Sequence, residues 1–303
     1  MLEITFLGTG AGVPSKDRAM SAVAIRQGPK VTLFDCAEGT QRQLMMSKLS
    51  FMKIGQIFIT HLHGDHVLGL PGLIQTMGMS GRKDPLDVYG PKGTYDAVMG
   101  MLNACEGVYE YELRITEIDG CQRLEFNTHH VDCFPTVHGV PSLGYRYEEK
   151  ETPGTFDKAK AISLGIRPGP DFGKLQNGET VDGVTPDQVM DPPKRGLSVV
   201  YTGDTVQADS VLVGSKGADL LIHDSTYDVG EEERAAKHMH STCRQAAEVA
   251  REAGARYLIL THFSHRYSDC TVLMEHARET FPETYVANDF DTFELTRSSI
   301  RPI

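Results

Sequence analysis

Four potential metal ligands, His61, His63, Asp65 and His66, crowd together directly after the apolar run Ile57-Phe58-Ile59. Imidazole and carboxylate are the ligands that suit zinc and similar divalent ions. Alternate residues of an extended segment project the same way, so His61 and His63 can grip one ion while Asp65 and His66 point elsewhere. That spacing asks for two metals, provided the rest of the chain supplies further ligands. Three later segments share the pattern of a ligand placed at a strand end. Val199-Val200-Tyr201 runs into Thr202-Gly203-Asp204, Tyr257-Leu258-Ile259-Leu260 runs into Thr261-His262, and Phe134 to Val137 runs into His138. Together they give His61, His63 and His138 for one ion, Asp65, His66 and His262 for the other, and Asp204 to bridge. Two ions ~3.5–4 Å apart can activate water at neutral pH and stabilise both the attacking and the leaving oxygen of a phosphate ester. Structural zinc sites are closed and usually thiolate-rich, which weighs against a non-catalytic RNA-binding module built around a structural metal.

Strands and helices must alternate to hold these ligands at strand ends. Strand patterns run over Leu2 to Leu7, Ser21 to Arg26 and Val31 to Asp35, followed by a helix-like segment from Glu38 to Lys48. Leu68-Gly69-Leu70-Pro71-Gly72 leads into another helix, then a strand near Leu86 to Tyr89 and a helix from Lys92 to Asn103. Several short strands fill Leu113 to Tyr147. The second half repeats the alternation, with strands at Leu197 to Tyr201, Ala218 to Ile222 and Tyr257 to Leu260 and a helix at Thr242 to Ala253. Such an order predicts a layered helix, sheet, sheet, helix sandwich. The turn Gly8-Thr9-Gly10-Ala11-Gly12 lacks both a Walker lysine and a complete G-x-G-x-x-G, so it reads as a tight inter-strand connection more than a phosphate loop. Asp35 has two readings, a carboxylate that orients a histidine ligand or a charge at a helix N-terminus.

Residues 148–195 break the alternation. Pro153-Gly154, Arg167-Pro168-Gly169-Pro170 and Asp191-Pro192-Pro193 leave little amphipathic period, so an inserted flexible arm is expected within a single 1–303 domain. Its Lys158, Lys160, Arg167 and Lys174 could face an anionic partner, and the alternative is a tolerated surface insertion.

The chain has 303 residues, 40% hydrophobic and 23% charged, which fits an ordinary globular protein with a substantial core. No apolar run approaches the ~20 residues that span a membrane, and the N-terminus begins with a strand pattern instead of a signal segment, so a cytoplasmic location is expected. The six cysteines, Cys36, Cys105, Cys121, Cys133, Cys243 and Cys270, show no C-x-x-C pair and read as reduced, mostly buried thiols. A net charge of −11 argues mildly against nucleic acid unless a local patch supplies the basic footprint.

Through His61-x-His63-x-Asp65-His66, His138, Asp204 and His262 the sequence resembles the metallo-β-lactamase superfamily, which implies an α/β fold of αββα type and two-metal hydrolysis. The opening Phe6-Leu7-Gly8-Thr9-Gly10-Ala11-Gly12-Val13-Pro14, the run Leu33-Phe34-Asp35-Cys36 and Gly64-Asp65-His66-Val67-Leu68-Gly69-Leu70-Pro71-Gly72 are similar to the short form of the tRNase Z family. That resemblance covers nearly the whole chain. It implies a homodimer with two Zn2+ per subunit, with Mn2+ or Fe2+ as other candidates, acting on precursor tRNA. The implied cut leaves a tRNA ending in a 3′ hydroxyl and a trailer with a 5′ phosphate. Asp65 is implied as base and positioning group, and His240, in His240-Ser241-Thr242, as proton donor to the leaving group. Asp224 stands in His223-Asp224-Ser225-Thr226 where relatives commonly carry His-Glu-Ala-Thr, so a shorter carboxylate must reach His240. Without the family, His240 reads as a surface or helix-start residue. The arm with Gly169, Pro170 and Lys174 is implied to grip the tRNA elbow. Arg266 is implied as a phosphate contact, with a solvated loop arginine as the alternative. Pro14-Ser15-Lys16-Asp17-Arg18-Ala19 lacks the asparagine that often closes the family's recognition loop. A small-molecule phosphodiesterase or thioesterase of the same fold is the rival reading, and for it the arm would be superfluous.

Overall fold

The computed structural model describes residues 1–104, 106–107 and 109–303; Cys105, expected above to be a reduced thiol, lies outside them. Among the described residues two large sheets form. One has eight strands in the spatial order Ile300–Pro302, Thr292–Leu295, Leu2–Gly8, Ala22–Gln27, Lys30–Phe34, Ile54–Phe58, Leu86–Pro91, Leu113–Ile118. The other has seven, in the order Thr284–Val286, Tyr257–Thr261, Leu220–Asp224, Ser198–Tyr201, Leu143–Glu149, His129–Pro135, Gln122–Glu125. The inner faces meet through aromatic rings. Phe34 and Phe58 stack at 5.4 Å on the first sheet, and Tyr145 from the second lies 6.0 and 5.1 Å from them. The Tyr145 hydroxyl is fully buried and donates to Ile59 O at 2.6 Å, so the ring closes the sandwich without stranding its polar end.

Each outer face is covered by helices. Thr40–Met46, Leu70–Met79 and Thr94–Asn103 set Leu44, Leu73, Ile74, Met77, Val98 and Leu102 against Leu33, Ile57 and Val88 of the first sheet. On the second, Asp209–Ser215, Cys243–Ala253 and Thr271–Arg278 pack Val211, Ala246, Ala250 and Leu273 against Val200, Leu221 and Leu258. The small alanine face of Cys243–Ala253 lets that helix sit close to the sheet, and Thr242 opens it with a capping box to Gln245. The αββα expectation holds.

Two details differ from the sequence reading, while the described thiols are reduced and mostly buried as expected. The helix expected over Glu38 to Lys48 is shorter, Thr40–Met46, because Gly39 turns the chain at φ 81° just before it. The C-terminal strands carry no strong alternation of their own, and Thr292–Leu295 forms by pairing antiparallel to the first strand in the register Leu2↔Leu295. Among the thiols, Cys36, Cys133, Cys243 and Cys270 are buried and free, but Cys121 is exposed. No described helix is long and apolar enough to cross a membrane.

The chain divides into two compact units. One comprises residues 1–125, 131–147 and 197–303; the second comprises 126–130 and 148–196. The second is more ordered than its sparse periodicity suggested, with short helices Lys158–Ser163, Pro170–Gln176 and Pro186–Val189. Ala161, Ile166, Leu175, Val181, Val184 and Val189 make a hydrophobic cluster of its own, flanked by Phe156, Phe172 and Met190. Helices of one or two turns are too short to show a 3.6-residue period, which is why the pattern read as irregular. The ends of this insertion meet in an antiparallel bridge, with Thr152 N donating to Lys194 O at 3.0 Å and Lys194 N to Thr152 O at 2.8 Å.

Candidate active site

The ligand-bearing segments leave their strands at one edge of the sandwich. Ile54–Phe58 delivers His61, His63, Asp65 and His66, Ser198–Tyr201 delivers Asp204, and Tyr257–Thr261 delivers His262. The donor atoms of His61, His63 and His138 converge: His61 Nε2 and His63 Nδ1 lie 3.0 Å apart, and His138 Nε2 is 3.2 Å from the same His63 nitrogen. Asp65, His66, Asp204 and His262 make a second group, with Asp204 Oδ1 3.3 Å from His66 Nε2 and 3.2 Å from His262 Nε2. The other Asp204 oxygen faces the first group, 3.7 Å from His61 Nε2 and 3.8 Å from His138 Nε2. All seven candidate ligands are therefore together, in the grouping the spacing suggested.

The donor set fits divalent cations. His66 Nε2, His262 Nε2 and Asp204 Oδ1 are buried without a hydrogen-bond partner, a costly arrangement unless a cation satisfies them. The far side of each ring is anchored instead. His61 Nδ1 meets Thr60 Oγ1 at 3.0 Å, His66 Nδ1 meets Asp35 Oδ2 at 2.7 Å, His138 Nδ1 donates to Met239 O at 2.8 Å, and His262 Nδ1 meets Thr226 Oγ1 at 2.9 Å. A proton held on Nδ1 leaves the Nε2 lone pair for a metal. His63 alone presents Nδ1.

Asp35 is the hub of this support. It is fully buried and also accepts from Thr60 N, Thr60 Oγ1 and the Tyr201 hydroxyl, so of its two readings the ring-orienting one is correct. Its backbone is left-handed at φ 58°, as is that of His262 at φ 62°, conformations that a non-glycine residue holds only when its surroundings impose them. Gly203 has φ 60°, and a Cβ there would lie 2.6 Å from Thr60 Cγ2. Gly203→Ala should therefore push Thr60 off His61 and destabilise the fold by ~1–3 kcal/mol, seen as a lower Tm together with reduced metal content.

A carboxylate–imidazole pair stands beside the ligands. Asp224 Oδ2 accepts from His240 Nδ1 at 2.8 Å, so the shorter carboxylate does reach its partner. Its other oxygen accepts from Thr226 N at 2.9 Å and Thr226 Oγ1 at 2.7 Å. The Thr226 hydroxyl thus donates to Asp224 and accepts from His262, joining this pair to the ligand set. His240 sits between the helix Glu232–His238, which ends on left-handed Met239, and the Thr242 cap of the next helix.

Two family models match the chain, that of the Anti-Pycsar protein Apyc1 over residues 2–139 and that of the Beta-lactamase superfamily domain over residues 188–263. Ribonuclease Z of Methanothermobacter thermautotrophicus is 46% identical over 299 residues, covering 97% of each chain. The chain belongs to the ribonuclease Z family. Ribonuclease Z of Bacillus licheniformis is 42% identical, covering 98% of this chain and 100% of its own. Among solved structures, human tRNase Z, short form, has a TM-score of 0.71 at 32% identity and covers 97% of this chain and 99% of that one.

Within this ribonuclease Z fold, electrostatics separates the two ligand groups. Burial, then the neighbouring imidazoles, draw His61 below the usual histidine range, and His63 shifts the same way, so both are neutral donors. Burial also opposes charge on His66 and His262, but Asp204 and Asp35 hold His66 well above its ordinary value, and Asp204 with Asp224 and Asp65 brings His262 up to about 10, so these carboxylates favour a positive charge at the two Nε2 atoms, which a bound cation would supply in place of the proton. Asp65 is held low despite its burial by His262 and His66, and Gly12 N donates to its Oδ2 at 2.8 Å. The glycine-rich turn is thus a connection that also fixes Asp65. Arg18 is turned inward, bonding Thr9 Oγ1 at 2.6 Å and Asn288 Oδ1 at 3.0 Å. Arg266 lies over the Tyr227 ring at 5.4 Å and pairs with Glu231 at 3.3 Å, and Lys174 pairs with Asp171 at 2.9 Å. Gly169 has φ 142° and Pro170 starts its helix. Thr60, Thr226 and Tyr201 escaped the sequence reading. A threonine directly after the Ile57-Phe58-Ile59 run and another two residues after Asp224 were the available signals.

Proposed function

We propose that this chain is a zinc-dependent endoribonuclease that removes the 3′ trailer from precursor tRNA, leaving a tRNA 3′ hydroxyl and a trailer 5′ phosphate. The observation that carries the reading is the Asp224–His240 pair at 2.8 Å, set against a double ligand group, in a chain of the ribonuclease Z family. His61, His63 and His138 would hold one cation, Asp65, His66 and His262 the other, with Asp204 facing both. Bound there, two divalent ions would acidify water and neutralise charge on the reacting phosphate. Asp65, fixed by Gly12, is the base and positioning group for the attacking water. His240 holds its proton against Asp224 and gives one from Nε2 to the departing 3′ oxygen. Tyr227, with its ring centroid 6.1 Å from that of His240, and Arg266 above it give the leaving side an aromatic and cationic wall, where Arg266 would meet a phosphate.

The second unit is assigned the tRNA body, through Gly169, Pro170 and Lys174. Its own hydrophobic cluster supports a dedicated gripping element. By the same reading the enzyme is a homodimer, to be checked by its mass in solution. Because Thr152 and Lys194 bridge the base of the insertion, residues 153–193 can be replaced by a short Asn-Gly turn. That variant should lose about 100-fold or more in kcat/KM for precursor tRNA, as expected when a second attachment point is removed, while keeping hydrolysis of bis(p-nitrophenyl) phosphate. Equal activity on precursor tRNA would overturn the assignment, and mapping the cut nucleotide on a labelled precursor tests the reaction itself.

A further inference from the structure

Asp228, Cys243 and His276 form a second, separate group of potential ligands, with donor atoms all within 4.8 Å of one another. Asp228 Oδ1 is its centre. It accepts from His276 Nδ1 at 2.7 Å, from the Cys243 thiol at 3.4 Å and from Val229 N at 2.7 Å. The order places the carboxylate between thiol and imidazole, so His276 is not positioned to take the thiol proton and the trio is no cysteine-nucleophile triad. Burial, then Asp228, push the Cys243 thiol up to about 12, which also removes it as a free thiolate. A divalent cation changes that balance, because a coordinating thiol gives up its proton. Cys243 is the first residue of the eleven-residue helix Cys243–Ala253, where the positive end of the helix favours a thiolate. Cys243 is fully buried, whereas the side chains of Asp228 and His276 are partly exposed to solvent.

From this geometry we infer that Asp228, Cys243 and His276 are a further divalent-cation site with a preference for thiophilic ions such as Zn2+, distinct from the ligand groups at the strand ends. Loading it moves the His276 proton to Nε2, releases the Cys243 proton and leaves one coordination position for water. Asp228 lies four residues beyond Asp224, and Cys243 three beyond His240. An ion here therefore ties together the two segments that carry the Asp224–His240 pair and fastens both to the helix Thr271–Arg278.

Co2+ reads this site selectively, since the strand-end ligands include no sulfur and only thiolate ligation gives a near-ultraviolet sulfur-to-cobalt charge-transfer band. Titrating the chelator-treated full chain with Co2+ should produce that band, saturating at one thiolate-bound ion per chain. Cys243→Ser, nearly the same in shape, should abolish it, and His276→Ala, at a partly exposed helix position, should shift saturation to higher Co2+. Circular dichroism confirms that each variant is folded. Absence of the band in the wild-type protein, or its persistence in Cys243→Ser, would overturn the site.

Discussion

Replacing Asp65 by alanine should lower kcat on precursor tRNA by about 10³-fold or more, with precursor tRNA binding largely unchanged, because one carboxylate serves as both candidate ligand and candidate base. Asp65 Oδ2 lies 3.6 Å from His262 Nε2 and 3.8 Å from His66 Nε2, so its loss leaves the second ligand group incomplete and without a proton acceptor. Single-turnover cleavage and equilibrium binding separate the two effects. A variant that loses binding as severely as turnover would assign Asp65 to substrate contact instead.

The second large effect is expected at His240. His240→Ala should reduce kcat by about 10²–10⁴-fold, the usual contribution of a placed general acid. The pH profile makes the test specific. Burial draws His240 down, but Asp224 and then Asp204 bring it above the ordinary histidine value, and the acid must be protonated to work. Activity should therefore fall as pH rises through that raised value. Asp224→Asn removes the carboxylate that favours the imidazolium, so it should move the alkaline fall to lower pH, whereas His240→Ala should remove it. An alkaline limb that stays unmoved in both variants would assign the proton to another group.

Much of this site is local in origin. A strand that ends in Thr60-His61-Leu62-His63-Gly64-Asp65-His66 presents its ligands by the alternation of extended chain and one tight turn, and neither requires distant residues. Asp204 and His262 follow the same rule. Asp35 does not. Its role appears only because Phe34 pairs with Phe58 in parallel register, which carries the next residue to Thr60 and His66. Thr226 is similar, since its hydroxyl is shared between Asp224 and His262 across |i−j| of 36.

The insertion and the trio at Asp228 mark the other limit. Short helices carry no period to read, and their cluster forms only when Phe156, Leu175 and Val189 are brought together. Asp228, Cys243 and His276 lie in three separate segments with no common spacing. The sequence by itself determined the αββα order, the seven candidate ligands at strand ends and the family resemblance, because each rests on short-range periodicity and motif. Only the tertiary structure decided which groups orient those ligands, that Asp224 reaches His240, and that a thiol, a carboxylate and an imidazole meet elsewhere. Hydrogen bonds and metal coordination act over about 3 Å, and proximity on that scale between distant residues is created by packing alone.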